Sequence, residues 1–300
     1  MKEIDEIKLA YEHIVKELLL DQIKPSLEID FEKAKNAHDS THELMFMGGM
    51  IVENLKDYSF KTNLLYFIYN WEIFDQATRS NVEALSTYYN SSFVLLRTVV
   101  ELLIKGVFYD CLAHTKFRND TKIIEQDKTG KKLKIFLDEL IQKSPKISKN
   151  FETVSVSIFD ELDTHLANKK HNVSTRLMLK QIIDWKMLEG IENPESLVYG
   201  IYQKLSSDVH VSPDNTDIGR RLITNRDLFK KREIMPEYFT EYLELLHTIM
   251  DVCLVVLLNI LKDSIQDSKS AKEFLRKRLH DDYFSSLGLA RTESRIRELM

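Results

Sequence analysis

The stretch from Ser91 to His114 constrains the rest of this chain. Phe93, Leu96, Val99, Val100, Leu103, Val107 and Phe108 cover nearly every side of a helix drawn through it. A helix that is apolar almost all round must be covered almost all round, so it belongs at the centre of a bundle. Only 8 glycines and 5 prolines occur in 300 residues, and chains of short strands need far more turn residues than that. The expectation is an all-α fold, a multi-helix bundle of about nine to eleven helices. An N-terminal helical extension (1–60), a bundle core (61–265) and a C-terminal helical tail (266–300) would together form one compact domain.

Start and stop signals place the helices. Ile4, Ile7, Tyr11, Ile14, Val15 and Leu18 recur at helical spacing, and Pro25 is expected to break that helix. Further helices are expected over 26–57, through the apolar and aromatic stretch 63–88, and over 131–143 and 148–168. Ser174 or Thr175 would cap a helix reaching Leu188. Pro194 would open one to Asp208, and Pro236 one to Gln266. A basic amphipathic helix covers 269–284, and 290–300 reads as a loose or partner-binding helix. Residues 115–130 read as a polar, mobile loop ending at Thr129-Gly130, and 218–235 as a short helix or small hairpin. Heptads sustained over several turns are absent.

The net charge is −5, but cations cluster locally. Residues 115–150 hold ten cations against five acids, and 218–232 hold six against Asp227 alone. Such segments are solvated surface or local contacts for a polyanion. Cys111 and Cys253 lie in apolar runs and read as small buried hydrophobes of a reducing, cytoplasmic setting. Residues 1–6 lack an apolar signal core, and Val252–Leu261 covers only half a bilayer, so no membrane span is expected.

Polar groups able to do chemistry crowd together in one place, at the end of the Pro194 helix. Ser206, Ser207, Asp208 and His210 lie within five positions there, and Ser212-Pro213 follows. An imidazole past a helix C-terminus is favoured as a cation and titrates near neutrality, which suits a general acid or base. Arg97 and Glu101, four apart, share one face of the central helix. They form either an ion pair that fixes packing or half of an anion site facing His210, since guanidinium grips phosphate in two-pronged geometry.

The pair of motifs Leu-Leu-Arg-Thr-Val-Val-Glu (95–101) and Tyr-x-x-Leu-Ser-Ser-x-Val-His-x-Ser-Pro (202–213) resembles an uncharacterised prokaryotic helical family that is distantly similar to the HEPN superfamily. The resemblance covers roughly residues 60–262. It implies a HEPN-like bundle core, an RNA-binding role or metal-independent endoribonuclease activity in defence or stress, and pairing into a homodimer. Where the superfamily's nuclease motif carries arginine ahead of histidine, this chain has Lys204, which keeps the charge and loses the fork. Under that reading His210, Arg97 and Lys204 would be catalytic. Arg97, Ser206 and Ser207 would bind the anion, with Glu101, Asp208 and Tyr202 in support. No metal or cofactor is called for. The competing reading is a non-catalytic helical module that binds a protein or small anionic ligand at the same place.

Other constellations are less specific. His38 and His42, four apart, can share a metal, but no third ligand is apparent and they read as surface histidines at a helix start. Asp160, Glu161, Asp163, His165 and His171 spread around a helix and do not converge. Tyr66, Phe67, Tyr69, Trp71 and Phe74 read more simply as core than as a platform for bases.

Overall fold

The computed structural model describes residues 2–55, 65–113, 115–143, 173–209 and 234–300. Among these the chain is helical throughout, with fourteen α-helices, two short 3-10 turns and no strand. The all-α expectation is therefore met. The expected helix over 148–168 and residues 218–233 of the segment 218–235 fall outside the described residues, as do Asp160, Glu161, Asp163, His165 and His171.

The N-terminal third is α1 (Lys2–Glu17), α2 (Ile23–Leu27), α3 (Phe31–Glu53) and α4 (Leu65–Leu85). Pro25 does not break a helix. It sits in the first turn of α2, where a missing N–H leaves no intrahelical bond unmade. The break comes earlier, at Leu19, whose backbone is left-handed (φ 54°). Asp30 caps α3 by accepting from the Lys33 N–H at 3.1 Å.

The central helix is α5 (Tyr89–Ala113), followed by α6 (Thr115–Arg118), α7 (Lys128–Lys143), α8 (Thr175–Asp184) and α9 (Pro194–Val209). Helix α5 packs against α4, α8, α9 and the long α10 (Pro236–Ile260). That explains why it is apolar on nearly every side. Helix α10 in turn packs on α3 and α5. It is long and apolar enough to cross a bilayer, but most of it is buried inside the bundle. Between α5, α9 and α10 lies a small, wholly apolar gap lined by Val100, Leu103, Val198, Ile201, Ile249 and Val252.

Residues 115–130 are more ordered than a polar loop. Thr121 and Ile124 are buried. The fully buried Gln181 of α8 accepts from the Ile123 and Ile124 N–H groups and donates to the Asp120 carbonyl. The Trp185 indole donates to the same carbonyl at 2.6 Å and stacks on Phe108. These long-range bonds replace the water that a polar segment would otherwise need. Gly130 does not end a loop; it lies in the first turn of α7, against the preceding turn. A Cβ there would come within 2.0 Å of the Ile124 carbonyl oxygen. Asp127 caps α7 through the Thr129 and Gly130 N–H groups, which hold its carboxyl below the usual range.

After α10 come α11 (Lys262–Asp267), α12 (Lys269–His280), α13 (Tyr283–Ser286) and α14 (Ala290–Leu299). The turns at Leu261 and Asp282 divide stretches expected to be continuous, which raises the helix number above the estimate. Helix α14 is not loose. The buried Asp251 of α10 accepts from the Arg291 and Thr292 N–H groups and the Thr292 hydroxyl, capping α14 from another helix. Four residues on, buried Arg295 donates to Asn259 and pairs with Glu189 and Glu298. Ile296 and Leu299 join the same core as the central helices.

Candidate functional site

Helices α5 and α9 are neighbours, as an Arg97-based site requires. Val198 and Leu205 of α9 are buried in the same core as Val100 and Leu103 of α5. That packing turns Tyr202 towards the edge of α5 where Arg97 and Glu101 lie. The Arg97 guanidinium pairs with Glu101 at 3.1 Å and donates to the Tyr202 hydroxyl at 3.3 Å. Tyr202 donates onward to Glu101 at 3.2 Å. The result is a closed triangle between two helices. Both charged side chains are about a quarter exposed, so the pair sits at the rim of the bundle. The bond to Tyr202, with Glu101 nearby, holds the guanidinium pKa above its ordinary value. Its Nε is buried and without a hydrogen-bond partner.

The ring of Tyr202 extends the triangle. Arg97 lies 5.4 Å from its centroid. Tyr199, one turn earlier on α9, stacks on Tyr202 with centroids 6.0 Å apart. Arg176 of α8 covers Tyr199 at 5.2 Å and pairs with Glu195 at 3.4 Å. Arginine, two tyrosines and arginine therefore form one continuous ladder across three helices. Tyr199 and Arg176 were not singled out in the sequence. The i, i+3 spacing of the two tyrosines was the signal available for one of them.

The other expected residues are placed differently. Lys204 pairs with Glu241 of α10 at 2.5 Å. Two residues along a helix is about a 200° turn, so Lys204 and Tyr202 occupy opposite sides of α9. The structure thus brings Arg97, Glu101 and Tyr202 together and sends Lys204 elsewhere. Ser206 donates to the Tyr202 carbonyl at 2.6 Å, an i−4 bond that occupies its hydroxyl within the helix. Ser207 and Asp208 lie in the last turn of α9, with side chains outside the described residues. His210 lies outside them altogether.

The remaining sequence features also resolve in part. In 115–143, Lys122 and Lys134 pair with nearby Asp120 and Asp138, Lys116 pairs with Asp263, and Arg118 is buried. Of these Arg118 and Lys134 are tied into the fold, while Lys116 and Lys122 remain largely exposed. The basic segment 218–232 is outside the described residues. His38 and His42 are not at a helix start. They stand exposed in the middle of α3, with ring centroids 4.5 Å apart. His42 meets Phe74 edge-on at 5.4 Å, and Phe74 meets Trp71 at 5.9 Å. Tyr66 is core, as expected, but Trp71 is 59% exposed and is not. Among the described residues no three His, Cys, Asp or Glu side chains converge as a metal site would need.

A buried charge cluster escaped the sequence reading. Glu43 of α3 is almost fully buried and pairs with Arg278 of α12 at 2.5 Å and with the Tyr283 hydroxyl at 2.9 Å. The guanidinium lies 3.7 Å from the Tyr283 ring centroid and 5.0–5.6 Å from those of Phe46, Phe274 and Phe284. Burial pushes the Glu43 carboxyl up despite the neighbouring cation. Compared with family models, curated proteins and solved structures, the chain matches none.

Proposed function

We propose that this is a cytoplasmic, HEPN-like helical protein that binds RNA on the α5–α9 edge, with metal-independent cleavage as the chemistry of that edge. The observation that carries the reading is the Arg97–Tyr202–Tyr199–Arg176 ladder. Single-stranded RNA is held by aromatic and guanidinium faces that stack on bases, and by cations that track phosphates. Five to eight residues beyond Tyr202 the sequence reaches Ser207, Asp208 and His210. In such a site His210 would take the ribose 2′-hydroxyl proton or protonate the leaving oxygen. Arg97 would stabilise the negative charge that builds on the non-bridging phosphoryl oxygens.

Two carboxylates favour a second reading. Glu101 already neutralises Arg97, and Glu241 neutralises Lys204. A non-catalytic module that binds a small anion or a protein partner tolerates such compensation better than a nuclease does. Anisotropy with a labelled single-stranded RNA across a salt series tests the binding claim. Affinity should fall steeply with salt, and Arg97→Ala and Tyr199→Ala should each weaken it about tenfold or more. Binding that ignores both substitutions removes the α5–α9 edge from consideration. Incubation with RNA in EDTA then separates the two readings: cleavage lost in His210→Ala supports the nuclease, and intact RNA supports the module.

A further inference from the structure

Helix α3 carries two histidines that its packing does not require. Its inward side holds Ala34, Ala37, Thr41 and Leu44, all buried. His38 and His42 stand exposed on the outward side, four residues and so about one turn apart. Their ring centroids are 4.5 Å apart, with the planes tilted by 47°. Histidines at i and i+4 of one helix reach a single ion from the same face.

The two rings are held differently. Nδ1 of His38 lies 3.0 Å from Oδ1 of Asp39. An ionised carboxylate only accepts, so Nδ1 carries the proton and donates it to that bond. A neutral imidazole has a single N–H, which leaves a free lone pair on Nε2 of His38. Asp39 is held in turn by Lys35, one turn earlier, at 3.6 Å. A carboxylate behind one ring nitrogen fixes the tautomer and raises the basicity of the other, which is the support that metal-bound histidines receive. His42 rests edge-on against Phe74 of α4 at 5.4 Å. Among the described residues it makes no hydrogen bond, so its ring nitrogens are uncommitted.

We propose that His38 and His42 clamp a divalent first-row transition ion, with water in its remaining positions and Asp39 as the positioning residue behind His38. Imidazole suits copper, nickel and zinc, and copper(II) binds such a site most tightly. Magnesium and calcium take oxygen ligands and are not held. A closed centre needs three or more converging protein ligands, and none is formed among the described residues. Two imidazoles make an open site whose ion exchanges with the medium. The clamp is carried by α3 beside α4, not by the α5–α9 edge, and it stands independently of RNA binding.

Trp71 reports on this clamp. Phe74 meets both His42 and, at 5.9 Å, the exposed Trp71. Copper(II) quenches a nearby indole, so a titration of copper chloride into the full chain near neutral pH should extinguish the red, exposed part of the tryptophan emission first. The chain holds 9 histidines, and this quenching distinguishes the clamp from the others where total copper uptake does not. Zinc chloride, which does not quench, should compete and protect the emission; magnesium chloride should not. His38→Ala and His42→Ala each leave one imidazole and should shift the copper midpoint upwards about tenfold or more. Asp39→Ala keeps both ligands and should also weaken binding about tenfold, with part of the loss restored by Asp39→Asn, which still accepts from Nδ1–H. His280→Ala removes an exposed histidine of α12 and should change nothing. All four sites are on the surface, and the helical signal of the metal-free variants should match wild type. Emission that ignores copper overturns the proposal. So does a wild-type midpoint in either single histidine variant, or copper quenching that zinc does not relieve.

Discussion

Replacing Arg278 by methionine should produce a destabilisation whose size depends on pH. Among the described residues the guanidinium is the only cation bonded to Glu43, whose side chain is 1% exposed. Removing it strands a carboxylate among Phe46, Phe274, Tyr283 and Phe284. Breaking a buried ion pair from one side costs about 3–5 kcal/mol, and the contact with the Tyr283 face is a further term of about 0.5–2 kcal/mol. Methionine restores some of the lost packing, so about 3–4 kcal/mol is expected near pH 8. The sign of the pH effect follows from burial. In the folded wild type the Glu43 carboxyl is already raised. Its neutral form therefore stabilises the fold below the ordinary carboxylate range, and that contribution is lost as pH rises through the raised folded value. Without Arg278 the folded value rises further. The cost should then be largest at alkaline pH and should shrink as pH falls through that raised value, where Glu43 takes up a proton and bonds Tyr283 as a neutral acid. Urea unfolding followed by helical circular dichroism at pH 8 and pH 5 reads this out as two midpoint differences between wild type and variant. Adding Glu43→Gln to Arg278→Met should recover most of the loss at pH 8, since no charge remains buried. Equal differences at the two pH values, or a double variant no better than the single, would refute the account.

Gly130→Ala should lower stability by about 1–3 kcal/mol although alanine is the better helix former, because its Cβ would meet the Ile124 carbonyl at 2.0 Å; thermal denaturation checks this, and a rise in melting temperature would be the contrary result. Gln181→Leu leaves the Ile123 and Ile124 N–H groups without acceptors and should cost about 2–3 kcal/mol, with faster amide exchange at both positions. Asp251→Ala uncaps α14 and removes the Arg291 partner, for a loss of about 2–4 kcal/mol. Limited proteolysis of that variant should cut first near Gly288, ahead of any cut in α10.

The helices were legible where the signal is local. Ser174 caps α8 and Pro236 opens α10 as their residue types dictate. The apolar circumference of α5 announced its central position, and the spacing put Arg97 and Glu101 on one face while leaving open whether they pair or hold an anion. Long-range partners decided what was missed. Pro25 was misread because one sequence position cannot say whether a proline ends a helix or begins one. The 115–130 segment looked like a loop because its hydrogen bonds are supplied by Gln181 and Trp185, about sixty residues away. Glu43 and Arg278 are separated by 235 residues, and nothing near either marks it as paired. At the candidate site the triangle was two-thirds foreseeable, since Arg97 and Glu101 share a helix. The stacking of Tyr199 and Arg176 depended on how α8 and α9 lie against each other.

The chain has only two tryptophans, and they are placed in opposite surroundings. Trp71 stands 59% exposed on α4, while Trp185 is buried against Phe108 with its indole bonded to Asp120. The protein therefore carries two built-in fluorophores of different colour. Trp71 emits to the red and is open to acrylamide. Trp185 emits to the blue and is shielded for as long as the 115–126 segment keeps hold of it. Any treatment that loosens that segment alone will convert a two-component quenching curve into a single one before the helical signal changes.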